Sequence, residues 1–600
     1  MVLWSSLGVL FAFLLGLLIA GSVYCSSHFS KGTIINEIDA SGLTMEELES
    51  RMREYVLTVR ERTGEGSYIT ETITGDQIGV TVSNTDELNG ILKQQNILKA
   101  ISSYIKGEQQ VYTVENLYAY VDSALMTAIL KLQGFQESFV VEPVDAHISE
   151  YDAENGYRIV PEIRGNVLNQ TKTIQTVETA VDALLTEIDL EKAGCYEEPS
   201  VYADDAKLTE RLAQMKQYTD LRIVYHFGQQ EEVIDGSVLS GWLLVDEETN
   251  KVSVSEEKID DFVVMLRKKY DTIFRSREFQ TSYGKTITIE GGDYGWWMNY
   301  SQEQEQLKEM IENGESGERI PVYYQTAAVY GSQDYGNTYI EINLTAQHLF
   351  FYKNGSLVVE SDFVSGNLAK NHGTPSGSFG VTYKAKDAVL RGEDYESPVS
   401  FWMPFNGGVG MHDASWRSTF GGTIYKRSGS HGCINLPYSA AKTIYENIEA
   451  GYPVLVYELP GTESQKGKDM DAASAVDEAI TSIGTVTLDS AGTIASVRSQ
   501  YDALSDSAKA YVKNLNVLTA AESALSQLQY EQALQELQNQ ESIDAQNVTN
   551  TIMALPDTIT ATDAAAVANA RNAYNALSEG AKAKVPQSAL DKLAAAEAAL

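Results

Sequence analysis

The hydrophobic pattern opens with a block, not a period. Val2 to Tyr24 carries no charged side chain and is mostly Leu, Val, Phe, Ala and Gly. As a helix rising about 1.5 Å per residue, such a run crosses the roughly 30 Å hydrocarbon layer of a bilayer. The first basic residue is Lys31, so no preceding charge sets the orientation. Ala20-Gly21-Ser22 offers the small residues of a secretory cleavage site, which makes a cleaved signal the rival reading. The length of the run and the missing basic n-region favour a membrane anchor over residues 1–25.

Strand and helix periods then mix. Residues 31–39 predict a strand and 41–48 a turn into a helix, with Thr44 and Glu47 spaced as a capping box. Residues 157–161 predict a strand and 173–188 a helix. A phrase of strand, Gly turn and short helical stretch recurs at 73–80, 234–242 and 289–296, which predicts duplicated α+β modules over 26–212 and 213–332. Trp242, Trp296 and Trp297 in these modules suit either a core or stacking on sugar rings.

From Thr338 the pattern is strongly β. Residues 339–344 alternate, 347–352 follow, Lys353-Asn354-Gly355 is a hairpin turn, and 357–364 is the second arm. Gly373 to Phe379 is a rigid Pro/Gly turn. Residues 384–397 are polar without a clear period, either an exposed loop or a flap over a site. The stretch from Gly407 brings His412 to a strand end, 438–449 predicts an amphipathic helix, and 451–457 a last strand, so this domain spans 333–460. A polar linker is expected at 461–475. Residues 476–600 hold two copies of one Ala-, Leu- and Gln-rich unit, offset by 73 residues from Arg498 to Arg571, and predict helical repeats that serve as spacer or interaction arm.

Composition changes this picture in three ways. At about 100–200 residues per domain, 600 residues make a multidomain chain. The net charge of -38 is uneven: residues 338–458 hold nine Lys/Arg against eleven Asp/Glu, residues 461–600 nine against eighteen, and most of the excess lies upstream. Without a basic stripe, a nucleic-acid partner is excluded, and contact with an anionic polymer is polar or aromatic in character. Cys25, Cys195 and Cys433 are too few for a disulfide framework but compatible with one reactive thiol.

That thiol is Cys433, within Ser430-His431-Gly432-Cys433-Ile434-Asn435, with His412 upstream of Ser430 by a spacer of seventeen residues. A thiol becomes a useful nucleophile as thiolate, and a neighbouring imidazole supplies the base. His412 can return beside Cys433 as general base in a thiolate–imidazolium pair. The N–H groups of His431, Gly432 and Cys433 can face the oxyanion of an acyl intermediate, Gly432 permitting the tight turn. His431 suits orienting the loop or bonding substrate, and Asn435 bracing the turn. A zinc site on His412, His431 and Cys433 has the right ligand types but lacks a fourth ligand, so neither metal nor cofactor is expected. A buried structural cysteine and a disulfide to Cys195 or Cys25 are further alternatives.

The run of His412, spacer and Ser430 to Asn435, together with Thr374-Pro375, Gly377 and Phe379, resembles the L,D-transpeptidase (YkuD-type) catalytic domain over residues 338–458. The upstream phrases resemble peptidoglycan-binding modules over about 95–330, and the C-terminal units resemble repeats of bacterial surface proteins. The resemblance implies a multidomain α+β chain: a β-rich catalytic domain, α+β peptidoglycan-binding modules before it and all-α repeats after it. It implies Cys433 as nucleophile, His412 as acid/base, and Ser430, His431 and Gly432 lining the site. The residue after the histidine in that family is often Ser or Gly. Here it is Asp413, whose carboxylate is a candidate for orienting His412. The implied activity is 3-3 crosslinking of peptidoglycan stem peptides outside the membrane, with the cell wall as partner. An L,D-carboxypeptidase at the same site and a non-catalytic wall-binding scaffold are the alternatives.

Overall fold

The structure, a computed structural model, describes residues 2–392 and 396–600. The chain forms two compact units, the first made of residues up to 224 with 232–259 and 306–319, the second of 225–231, 260–305 and 320–600.

The first unit begins with the helix Val2–Ser27, of which Ser6–Ser27 is long and apolar enough to span a bilayer, with a mean hydropathy of 2.3. The strand expected at 31–39 is instead two, Thr33–Ile35 and Ile38–Asp39, folded back on each other. Asn36 and Glu37 between them take φ of 47° and 73°, the left-handed pair that a tight hairpin demands. The capping box on Thr44 and Glu47 is formed. The strand expected at 157–161 is confined to Ile159–Val160. The expected 173–188 helix runs as Gln170–Asp182, because Leu184 turns left-handed and Glu187–Asp189 pairs in parallel with Thr58, Val59 and Arg60. A single core extends from Phe29 to Tyr196, gathering Leu48, Leu57, Ile73, Leu117 and Val177.

Two copies of the recurring phrase, both in this unit, fold alike. Thr74 caps a short helix Gly75–Ile78, and Asp235 caps Gly236–Ser240. The third copy, in the second unit, does not. Its strand Thr286–Ile289 leads into Gly291 and Gly292 at φ 79° and 87°, and no helix follows. That backbone instead exchanges hydrogen bonds with Ser378, whose N–H donates to Gly291 O while its carbonyl accepts from Tyr294 N–H. A Cβ on Gly292 would stand 2.0 Å from Ser378 O, so the glycine is what lets the two chains meet. Trp242 and Trp296 are core residues; Trp297 is 37% exposed.

Within the second unit, a five-stranded and a four-stranded sheet face each other across one core. In chain order the strands are β1 (Tyr339–Asn343), β2 (His348–Lys353), β3 (Ser356–Asp362), β4 (Gly377–Gly380), β5 (Ala385–Arg391), β6 (Glu396–Asn406), β7 (Val409–Asp413), β8 (Ile434–Leu436) and β9 (Pro453–Tyr457). The larger sheet has the order β3-β2-β1-β9-β4, the smaller β5-β6-β7-β8. Asn354 and Gly355 make the β2–β3 turn with φ of 52° and 77°, as the Asn-Gly pair predicts. Ile340, Ile342, Leu349 and Phe351 from one sheet meet Phe401, Met403, Phe405, Met411 and Ile434 from the other. Ala441 and Ile444 of helix α2 (Tyr438–Asn447) close this core; α1 is the short helix Ile424–Ser428 before it. The polar run at 384–397 is mostly the antiparallel pair β5 and β6, and its residues 393–395 lie outside the described residues.

The expected linker is largely helical. Ser464 caps α3 (Gln465–Ser482), which opens the C-terminal bundle. The 39-residue helix α4 (Leu515–Met553) runs through both repeat units. Each unit has its own core, Ile494, Val497 and Leu518 in one and Val567, Ala570 and Val585 in the other. Each also has one Arg–Glu clamp, Arg498 with Glu522 and Arg571 with Glu597.

Candidate active site

The site lies on one face of the smaller sheet, where β7 and β8 run parallel with His412 opposite Asn435. Side chains two apart on a strand share a face, so Cys433 projects beside Asn435 and His412. On the other side of β7, Trp402 of β6 stands opposite His412 and, with Val399, packs on Cys433. A cavity of 230 Å³ holds Cys433, His412, Asn435, Ser430 and His431, with Trp416 and Arg417 from the spacer and Leu390 and Ser397 from the β5–β6 hairpin. The hairpin therefore walls the site, as the flap reading anticipates.

A directional hydrogen-bond chain sets the histidine. Arg417 Nε–H donates to Asn435 Oδ1 at 2.9 Å, which turns the Asn435 amide nitrogen toward His412 Nε2 at 3.0 Å. His412 Nδ1 lies 2.8 Å from Asp413 O, a pure acceptor, so the proton sits on Nδ1 and the Nε2 lone pair is the basic position. Asp413 thus orients His412 through its main-chain carbonyl. Its buried carboxylate points elsewhere: one oxygen accepts the N–H groups of Ser400 and Phe401 at 2.8 and 2.9 Å, where the pairing of β6 with β7 ends.

Burial dominates the electrostatics. Desolvation holds the His412 imidazole below its ordinary pKa, outweighing the Asp413 carbonyl and charge that pull upward. Desolvation also pushes the Cys433 thiol above its ordinary pKa, with the Gly410 N–H acting in the opposite sense. Both directions favour an uncharged thiol and imidazole, in contrast to the expected thiolate–imidazolium pair. The thiol points to Gly408 O at 3.6 Å.

The nucleophile turn is tied down on its other side. Ser430 N–H donates to Ser365 O and Asn367 N–H to Ser430 O. Thr374 Oγ1 donates to Gly432 O at 2.6 Å and accepts from Gly366 N–H at 3.0 Å, which explains a threonine in the Pro/Gly loop. Ser430 Oγ bonds Cys433 O and accepts the Gly432 N–H at 3.1 Å. The Gly432 N–H expected to face an oxyanion is therefore engaged inside the turn, because Gly432 at φ 123° directs it back at Ser430. His431 is exposed, its ring 4.7 Å from that of His372. Among the described residues, no three His, Cys, Asp or Glu side chains converge as a metal-ligand set. Arg417, Trp416 and His372 carry no signal in the spacing of Cys433 and His412; only the fold brings them here.

A family model for the L,D-transpeptidase catalytic domain matches residues 337–456, and a family described as "Putative peptidoglycan binding domain" matches residues 206–319. No protein of curated function matches. Among solved structures, a cysteine-to-serine mutant of the Enterococcus faecium L,D-transpeptidase is 35% identical, over 41% of this chain and 100% of that one, with a TM-score of 0.36. An avibactam carbamoyl enzyme is also 35% identical, over 42% of this chain and 98% of that one, with a TM-score of 0.36. The catalytic domain of the E. faecium L,D-transpeptidase acylated by ertapenem is 46% identical, over 20% of this chain and 97% of that one, with a TM-score of 0.19. The family model covers the residues that hold Cys433 and His412, and the identity extends over whole relatives: the chain belongs to the L,D-transpeptidase family.

Proposed function

We propose that this protein crosslinks peptidoglycan by L,D-transpeptidation, with Cys433 as nucleophile and His412 as acid and base. The observation that carries the reading is the shared face of Cys433 and His412, with the Arg417–Asn435–His412–Asp413 chain holding Nε2 as the basic atom. Sγ adds to the carbonyl of the third residue of a stem tetrapeptide as His412 Nε2, exchanging the Asn435 amide N–H that it accepts in the resting site for the thiol, takes the thiol proton. The C–N bond to the terminal D-Ala then breaks, Nε2 returns the proton to the leaving amine, and a thioester remains. The side-chain amine of a neighbouring stem attacks that thioester, gives its proton to Nε2, and regenerates the thiol, leaving a 3-3 crosslink. Because burial disfavours either charge alone, proton transfer and attack are coupled. The ertapenem-acylated E. faecium domain supports a covalent acyl-enzyme at this site.

The apolar N-terminal helix serves in this reading as a membrane anchor, and the upstream modules hold the domain at the wall. The test is mass spectrometry of the intact protein with tetrapeptide donor and an amine-bearing acceptor stem. An acyl adduct on Cys433 and a 3-3 dimer support the reading. Hydrolysis without dimer assigns an L,D-carboxypeptidase, and sacculus binding with neither adduct nor product assigns a scaffold.

A further inference from the structure

We propose that Arg417 is a substrate-recognition residue whose guanidinium holds the free C-terminal carboxylate of the amino acid that leaves the donor peptide. The proposal rests on the donor reaction given above and names what selects its substrate. Arg417 is half-buried and lines the same 230 Å³ cavity as Cys433. Its Nε is spent on Asn435 Oδ1, and this bond fixes the plane of the guanidinium. Its terminal amino groups have no acceptor among the described residues, and no described carboxylate pairs with it.

A half-buried cation without a counter-ion is costly to keep, and a guanidinium fork matches a carboxylate through two parallel hydrogen bonds. A peptide whose third-residue carbonyl meets Cys433 has one amino acid left to place beyond it. The carboxylate of that amino acid stays within reach of the cavity wall that Arg417 forms. A chain continuing past that residue would bring a neutral amide to the guanidinium in place of the carboxylate. Arg417 therefore makes the site specific for a terminal residue and against an internal peptide bond.

The test uses the full-length chain in detergent and two donors, a tetrapeptide ending in D-Ala with a free carboxylate and the same peptide as its carboxamide. Release of D-Ala or its amide is followed for wild type, R417K and R417Q, and hydrogen exchange over residues 430–436 reports whether the nucleophile turn is intact. Wild type is expected to prefer the acid by on the order of 10- to 100-fold in kcat/KM. R417Q, which also gives up the bond that sets Asn435, is expected to be slower on both donors and to process acid and amide alike, and R417K, a point charge without the fork, to give a ratio in between. Equal use of acid and amide by wild type overturns the proposal without recourse to a variant. So does a wild-type ratio in R417Q with exchange over residues 430–436 unchanged. A wild-type protein that releases D-Ala from neither donor overturns the donor reaction itself, and the proposal with it.

Discussion

Replacing Asp413 separates two roles that the sequence joins. The Asp413 carboxylate accepts two successive amides of β6, and Asp413 and Phe401 are buried at 3% and 4% exposure. Asp413→Ala removes both charge-assisted bonds. The Phe401 N–H is then buried and unpaired, at about 1–3 kcal/mol, and the half-buried Ser400 N–H loses less because water reaches it. The sum is about 2–4 kcal/mol of local stability. Asp413→Asn keeps an oxygen for both amides at reduced strength and should cost about 1 kcal/mol. Since the chain has several cores, hydrogen exchange over residues 396–413 is the appropriate assay. At about 1.4 kcal/mol per decade, protection of the Ser400 and Phe401 amides should fall by roughly 30- to 1,000-fold in the Ala variant. Because His412 Nδ1 bonds the main-chain carbonyl at this position, the folded fraction should keep its rate of donor acylation within about threefold. A rate reduced a hundredfold with protection of Ser400 and Phe401 unchanged would refute this and make the carboxylate the orienting group.

Thr374→Val, of similar shape, strips the partner from Gly366 N–H and from Gly432 O, and should cost about 2–4 kcal/mol, seen as faster exchange over 365–374. Gly366→Ala would place a Cβ 1.8 Å from His372 O, so its soluble yield should collapse where Gly355→Ala, in open space, only strains a turn. Buried His412 resists protonation in the folded protein, so above its unfolded pKa of about 6.5 its contribution to stability is fully present, and it is lost as pH falls from there toward the depressed folded value. Denaturation against pH in wild type and His412→Gln should show that slope in wild type alone. Alkylation of Cys433 should rise only at pH above the ordinary thiol range, and a plateau at neutral pH would show a preformed thiolate.

Much of the catalytic half is legible in the sequence because its signals are local. Alternation marks β1 and β2, Asn354-Gly355 fixes their hairpin with β3, and the histidine, spacer and cysteine run names the chemistry. Local signals fail where a distant partner decides. Residues 465–475 look like a polar linker, yet they are the first turns of α3, whose core contacts come from residues in the helices that follow. The third Gly phrase matches the first two in composition but meets Ser378 and makes no helix.

The sequence by itself determined the reactive residue types, their order along the chain and the strands that carry them, because turn chemistry and side-chain period act over a few residues. Only the tertiary structure decided which groups work on one another. The parallel register of β7 and β8 sets His412 against Asn435, and with it brings Arg417 into the cavity of Cys433. A register shifted by one residue would send each side chain to the opposite face, and no spacing in the chain specifies that pairing across the seventeen residues that separate the two strands' motifs. The same packing removed water from the thiol and the imidazole, and so disfavours the charged form of each.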